Sequence, residues 1–357
     1  MITNIKDQEY DVIEVTNEMP VNRKGGVGSV IENLGSGFRS IGAKALWFLL
    51  DHNYRDFEVE RVLTEFPDIA IGSYDELPLC KAPLFHLHIY QHDPLLLQYL
   101  MSRKVVLTIH SLLICEAQSN GIDLSWSVKQ QEDMIAACNK VVLVSQSELQ
   151  NYYKYNYHKL NPNVTVIHNG LRNSGSFRNQ RKNDVIGFCG RLVPRKRPEY
   201  VQKLLREKGF SNYSVMIAGR GFSPYAKNLL LDLKIQDRVQ FLGWCGGERL
   251  KSFYDAIDVM AIPSTYEPFG MIALEAVIRG IPIVCNRVGG LGEILGDYAF
   301  YSDDDTYESF RGAMNMWLKA DSKKITDITR GALQRYYLNF TDITMAQKYL
   351  NLFRTLN

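Results

Sequence analysis

No apolar run in this chain is longer than a strand, so nothing reads as a bilayer-spanning helix, which needs about 20 consecutive apolar residues. The stretch Met1 to Tyr10 is polar and carries no hydrophobic signal segment, which leads us to expect a cytoplasmic protein. The 6 cysteines are scattered and contain no CxxC pair. Cys189, Cys245 and Cys285 fall in or beside apolar strand candidates, so the thiols are expected as small buried hydrophobes rather than as a zinc or redox site. Charge of one sign is also missing: a net charge of +2 points to no polyionic partner, and contact with a membrane surface stays open. The one local excess lies between Arg172 and Arg197, where eight Lys or Arg face the single acid Asp184. It lacks a run of interleaved aromatics, so a phosphate site within a solvated basic linker accounts for it better than nucleic acid does.

What is present is a long α/β alternation. A chain of 357 residues exceeds one α/β core, so two domains are expected. Asp11 to Val15, Ala43 to Leu50, Phe85 to Ile89, Lys104 to Ile109, Lys140 to Val144 and Asn163 to Ile167 read as strands, with helical periodicity after Gly28 and over 127–139. Residues 51–82 are polar, aromatic and poorly periodic, and read as loops. A Ser-, Asn- and Arg-rich linker follows, over 171–184. A second series then begins, with strands at 185–189, 214–218 and 238–242 and helices at 198–208, near 224–234 and at 247–256. Its strands are continuous and apolar, as in a parallel sheet covered on both faces. The expected domains are 1–170 and 185–340, with a final helix over 341–357.

The densest stretch is 258–293, which reads strand, Gly-bearing turn, helix over Met271 to Arg279, strand, turn. Glu267 in the turn and Glu275 in the helix stand eight residues apart. The amides of Gly270, Met271 and Ile272 open that helix, where a phosphate or sugar hydroxyl is favoured. A carboxylate one turn further in can accept from a ribose diol. A second glycine turn, Gly25-Gly26-Val27-Gly28, leads from the first strand into a helix and leaves amides bare for a ligand. Gly190-Arg191-Leu192-Val193-Pro194-Arg195-Lys196 ends the strand at 185–189, and there a guanidinium and an ammonium can converge on two phosphoryl groups. Gly219 and Gly243 mark two more strand-end turns. His110 ends the strand from Lys104 and can donate to a sugar hydroxyl or a phosphate. His88 and His92 have metal-like spacing, but strand periodicity breaks the helical geometry such a pair needs, so no metal site is expected. Asp303-Asp304-Asp305 reads as a helix cap.

The string Glu267-Pro268-Phe269-Gly270, four residues, then Glu275-Ala276 resembles the E-x7-E signature of the retaining GT-B glycosyltransferases, family four with its glycogen synthase relatives. The Gly190-to-Lys196 element, the GGVG turn, His110 with its flanking strand and Ala218-Gly219-Arg220-Gly221 are similar to further elements of that family. Arg197 stands where the family usually has Gly, Ser111 where an acidic or amide residue follows the histidine, and Arg23 where the glycogen synthase branch has lysine two residues before the paired glycines.

The resemblance implies a GT-B fold, two Rossmann-like parallel-sheet domains facing across a cleft, with the last helix packing back on the first domain. It implies a retaining, metal-independent transfer of sugar from a nucleotide-sugar donor, a UDP-sugar, by a same-face mechanism. The acceptor, whether glycan, lipid-linked or small molecule, is not named by it. His110, Arg191, Lys196 and Glu267 would be catalytic. Gly25, Gly26, Gly28, Gly190, Gly219, Gly243, Phe269, Gly270, Met271, Ile272 and Glu275 would hold the donor. No cofactor or metal is implied. A GT-B phosphorylase, a nucleotide-sugar epimerase and a non-catalytic nucleotide-sugar-binding protein are the other readings.

Overall fold

In a computed structural model, residues 9–356 are described except 19–24, 51–68, 74–75, 78–79, 81, 90–93, 176, 178–182, 222 and 235–236. The chain runs β1 (Val12–Thr16), α1 (Gly26–Ser40), β2 (Ala45–Leu50), β3 (Ile69–Gly72), β4 (Phe85–Leu87), α2 (Pro94–Met101), β5 (Val105–Ile109), α3 (Leu113–Asn120), α4 (Ser125–Ala137), β6 (Lys140–Leu143), α5 (Gln146–Lys154) and β7 (Val164–Val166). It continues β8 (Val185–Cys189), α6 (Pro198–Leu204), β9 (Ser214–Ala218), α7 (Pro224–Lys234), β10 (Val239–Gly243), α8 (Gly247–Ala256), β11 (Val259–Ile262), α9 (Met271–Val277), β12 (Ile283–Asn286), α10 (Gly290–Leu295) and β13 (Phe300–Ser302). Three helices close it: α11 (Tyr307–Lys319), α12 (Ser322–Asn339) and α13 (Asp342–Leu356).

Two compact units result. The first holds residues 1–114, 123–172 and 341–357, and the second 115–122 and 173–340. In the first unit seven strands form the parallel order β3-β2-β1-β4-β5-β6-β7. Apolar residues such as Val12, Ile13, Val15, Phe48 and Val106 are fully buried, as expected of parallel strands covered on both faces. β3 lies inside the stretch that the sequence reads as loop. At four residues it is too short for hydrophobic periodicity to register, and its pairing with β2 is what makes it a strand. Helix α13 packs against α1, where a Cβ on Gly37 would come within 2.3 Å of the Asp342 carbonyl. Ser36 donates to the Asp342 carboxylate at 2.8 Å.

The second unit has six parallel strands in the order β10-β9-β8-β11-β12-β13, over a core of Phe188, Val215, Ile217, Val259 and Trp317. In each sheet the order reverses at one place, between β1 and β4 in the first unit and between β8 and β11 in the second. Loops leaving the two central strands there turn in opposite directions and open a crevice at their carboxyl ends, which is where open α/β sheets bind ligands. The helix cap expected at Asp303–Asp305 falls one residue later: Thr306 caps α11, its side chain accepting from the Ser309 amide, and Asp304 accepts from the Thr306 amide at 2.9 Å. All six cysteines are free thiols. Among the described residues no helix is long and apolar enough to cross a membrane.

Candidate active site

The reversal point of the second sheet collects the charged residues of two turns. After β8 the chain passes Gly190 at φ 148° and makes a single 3-10 turn over Pro194–Lys196. Arg197 ends it in the left-handed region, at φ 49° and ψ 45°. This is the position where the resemblance leads one to expect Gly, and a side chain is held there at some backbone cost. The turn after β11 supplies Ser264 to Gly270. Because β8 and β11 are neighbours, the two turns lace together: the Thr265 amide donates to the Arg195 carbonyl at 2.8 Å, and the Arg195 guanidinium donates to the Tyr266 carbonyl at 2.8 Å.

Within this lacing the Lys196 ammonium is ion-paired with the Glu267 carboxylate, and both side chains are buried. Ser264 Oγ lies 3.4 Å from the same carboxylate oxygen. Burial by itself would raise the Glu267 carboxyl, but Lys196, Arg195 and Arg191 together hold it below the usual carboxylate range. Burial draws the Lys196 ammonium below its ordinary value, Glu267 opposes that, and Arg195 and Arg191 add to it. The pair is thus an anion and a cation that stabilise each other inside a field of two further cations. Buried Arg195 reaches Glu116 at 3.2 Å, and exposed Arg191 reaches the same carboxylate oxygen at 3.0 Å. Three cations and two carboxylates leave the cluster with one excess positive charge, which suits an anionic ligand.

The Glu267 backbone is fixed from a third turn. Gly290 N–H donates to the Glu267 carbonyl at 3.0 Å, and Gly289, at φ 54°, passes so close that a Cβ would lie 1.7 Å from that oxygen. Gly270 caps α9 at φ 113°, with Met271 and Ile272 partly exposed at the helix start. Glu275 accepts a 2.5 Å hydrogen bond from the Tyr254 hydroxyl, and Arg279 lies over the Tyr254 ring at 4.5 Å. Tyr254 is buried, and burial together with Glu275 pushes its hydroxyl well above the ordinary phenol value, so it stays a donor.

Gly190, Gly219 and Gly243 lie at the carboxyl ends of the adjacent strands β8, β9 and β10. Gly219 N–H donates to the Gly243 carbonyl at 2.7 Å, and a Cβ on Gly219 would meet the Gly190 carbonyl at 1.9 Å. Phe269 is different. Its ring is buried and packs edge-on against Phe340 at 6.1 Å, so only its backbone is left to face a ligand.

In the first unit Gly25, Gly26 and Gly28 form the start of α1. The amides there are not all bare as the sequence suggested, because Gly28 N–H donates to the Glu18 carboxylate at 3.1 Å. That carboxylate occupies the kind of position an anionic ligand takes at a helix start. Arg23, Lys24 and His92 lie outside the described residues. His110, partly exposed at the end of β5, has its Nε2 3.0 Å from Nδ1 of His88, and the rings stack. Behind them, Glu14, His86 and His88 bring one carboxylate oxygen and two imidazole nitrogens within 4.8 Å of one another. A groove of 870 Å³ lined by Tyr10, Asp11, Lys44, Pro83 and Arg103 opens at the amino ends of the same strands, away from the glycine turns.

Sequence reasoning missed Glu116, which has no local signal, and the part played by Arg195, Tyr254 and Gly289. It also missed Glu14, although a lone carboxylate within the apolar run Val12 to Val15 was a signal.

A family model described as glycosyl transferases group 1 matches residues 172–335. An uncharacterized glycosyltransferase of Methanocaldococcus jannaschii is 42% identical over 116 residues, 31% of this chain and 29% of the relative. A D-inositol 3-phosphate glycosyltransferase of Corynebacterium efficiens is 39% identical over 116 residues, 30% of this chain and 27% of the relative. The chain therefore spans less than a third of the length of these curated relatives. Over nearly its whole length it is similar in structure to sucrose-phosphate synthase from Thermosynechococcus elongatus, with TM-score 0.76 and 18% identity over 98% of this chain and 99% of the other. Anabaena HepE in complex with UDP and glucose gives TM-score 0.73 and 18% identity over 97% and 100%. The chain has the GT-B fold, and its residues 172–335 match the model of the group 1 glycosyl transferases.

Proposed function

We propose that this chain is a retaining glycosyltransferase that moves a sugar from a nucleotide-sugar donor, a UDP-sugar, to an acceptor hydroxyl without a metal. The observation that carries the reading is the Lys196–Glu267 ion pair set among Arg191 and Arg195 at the reversal point of the second sheet. As the bond from the anomeric carbon to the diphosphate oxygen breaks, negative charge grows on the leaving group. Arg191 and Lys196 stabilise that charge in place, the role often given to a divalent ion. Glu267 holds hydroxyls of the transferred sugar and Glu275 those of the ribose, with Tyr254 orienting the Glu275 carboxylate. His110 contacts a sugar hydroxyl.

Retention follows a same-face course. The acceptor oxygen bonds to the anomeric carbon on the face the diphosphate leaves, and its proton passes to the departing phosphate oxygen. The Glu267 carboxylate, engaged by Lys196 and beside Ser264, is poorly suited to be a nucleophile, which favours this course over a covalent intermediate. The uridine base is favoured by the UDP bound in the HepE neighbour and in the Staphylococcus aureus TarM structure.

A thermal-shift panel of UDP-, ADP- and GDP-sugars tests the reading. A UDP-sugar should raise Tm by linkage, and the increase should vanish with Lys196→Met/Glu267→Gln. No increase with any nucleotide sugar would sink it. Donor turnover with water or phosphate in place of an acceptor would favour an epimerase or phosphorylase instead.

A further inference from the structure

The reversal point of the first sheet holds a polar network sealed under α13. Glu14 on β1 and His86 on β4 are register partners, and His88 follows His86 by two, so their side chains leave one face of the sheet. Tyr349 and Phe353 of α13 cover His86, with ring centroids 4.7 and 5.4 Å away. Glu14 and His86 are wholly buried and His88 nearly so. Burial alone would raise the Glu14 carboxyl, but His86 and His88 hold it below its usual range, so it is a carboxylate and can only accept.

That single fact orders the protons. His88 Nε2 is 2.8 Å from Glu14 Oε2, so it carries the proton and donates. In the neutral ring Nδ1 of His88 is then bare and can only accept. Its partner at 3.0 Å is Nε2 of His110, which must therefore donate. On the other arm His86 Nδ1 lies 2.8 Å from the same Glu14 oxygen, though without the alignment of a hydrogen bond. With its proton there, His86 Nε2 takes the Thr108 hydroxyl at 2.7 Å, and Thr108 in turn takes the Tyr349 hydroxyl at 2.9 Å.

We propose that Glu14 is a positioning residue: acting through His88, it fixes His110 in the Nε2–H tautomer, so that His110 presents a bare Nδ1 that accepts from a sugar hydroxyl and has no proton to give a phosphate oxygen. This rests on the reading of His110 as a substrate contact. Burial, with His88 and His86 close by, keeps His110 neutral, which the tautomer requires. A cation held by Glu14, His86 and His88 would reverse the outcome. Bound at His88 Nε2, it would move the ring proton to Nδ1, which would donate to His110 and leave His110 with its proton on Nδ1.

Long-range proton–nitrogen NMR of the full chain labelled with 15N-histidine, assigned with single His variants, reads the tautomers directly at pH 7. The expected result is neutral His110 with the proton on Nε2 and neutral His88 with the proton on Nε2. An Nδ1–H His110, or a cationic one, overturns the proposal, as does a stoichiometric divalent ion in elemental analysis of the purified protein. Glu14→Leu should then give a tautomer mixture at His110 and lower kcat roughly tenfold, the scale of one lost hydrogen bond, with donor KM little changed. A fall in kcat with the His110 tautomer intact would make Glu14 merely structural. Should Glu14→Leu not fold, His88→Phe keeps the ring stack, removes the acceptor and should give the same mixture. An unchanged tautomer there counts against the proposal. His110→Gln separates the two readings: undiminished turnover removes His110 from the substrate whatever its tautomer, whereas an Nδ1–H tautomer defeats the proposal even if His110→Gln is inactive.

Discussion

Lys196 and Glu267, 71 residues apart in the chain, form a buried ion pair that joins the turn after β8 to the turn after β11. Each therefore depends on the other for stability as well as for any part in chemistry.

Glu267→Ala leaves an ammonium buried without its partner, and Lys196→Ala leaves a carboxylate, so each should lower stability by about 3–5 kcal/mol in urea unfolding. Lys196→Met/Glu267→Gln should recover much of that loss. Turnover should not recover, because removing the cation raises the barrier on the order of 3 kcal/mol. A folded Lys196→Ala with near wild-type turnover would discard the assignment of Lys196 to the leaving phosphate.

The glycines divide by their surroundings. Gly289→Ala sets a Cβ 1.7 Å from the Glu267 carbonyl at a backbone φ of 54°, and it should cost about 3 kcal/mol or more and displace Glu267. Gly26→Ala meets nothing within 4 Å at the first position of α1, and stability should change by no more than about 0.5 kcal/mol. Equal thermal stability of the two variants would show that the Gly289 approach is looser than described.

Arg197 occupies a left-handed conformation with its guanidinium 5.4 Å from the Tyr200 ring centre. Arg197→Gly relieves the backbone and gives up that contact, with an expected net gain of up to about 1 kcal/mol. A clear loss in Tm would mean that the side-chain contacts outweigh the backbone relief.

The first unit should be acid-labile. His88 is lowered from 6.5 to about 4, by burial first and then by His86, with Glu14 opposing. Between those values the unfolded chain binds a proton that the folded one refuses, so stability falls as pH drops from 6.5 to about 4, by about 3 kcal/mol from this group. Glu14 acts with the same sign: its folded pKa is depressed, so its contribution is present above 4.5 and is lost as pH falls through the lower folded value. Urea midpoints at pH 7.0, 5.5 and 4.5 should decline steadily, and His88→Asn should flatten part of the slope. A flat wild-type profile would contradict a neutral buried His88.

Glu275→Gln should raise donor KM with little change in kcat, and Tyr254→Phe should do the same more weakly, by about 1 kcal/mol, as the carboxylate loses one donor. A change confined to acceptor KM would place Glu275 elsewhere.

Much of the fold was legible because its signals are local. Val185 to Cys189, Ser214 to Ala218 and Ile283 to Asn286 are apolar, strand-length runs, and the residues punctuating them are turn formers, so the elements announce themselves. Pieces whose identity depends on a partner did not. Ile69–Gly72 is a strand because β2 lies beside it, and Leu113–Asn120 is a helix of only eight residues with weak amphipathic pattern. At the site, Glu267, Glu275, Arg191 and Lys196 stood out by motifs that resemble a known family, whereas Glu116 carries no mark of its own. The ring of Phe269 sits next to Gly270 in sequence yet packs on Phe340, which only the packing of α12 could place.

The sequence by itself determined two parallel-sheet units, the positions of the glycine turns at strand ends, and which short motifs carry charge, because periodicity and turn chemistry act over a few residues. The tertiary structure alone decided which charges meet. Strand order sets β11 beside β8 and β4 beside β1, and those non-local pairings turn Lys196 and Glu267 into an ion pair and Glu14, His86 and His88 into one network. A buried carboxylate then takes its protonation from its neighbours across the sheet, which no residue's place in the sequence reveals.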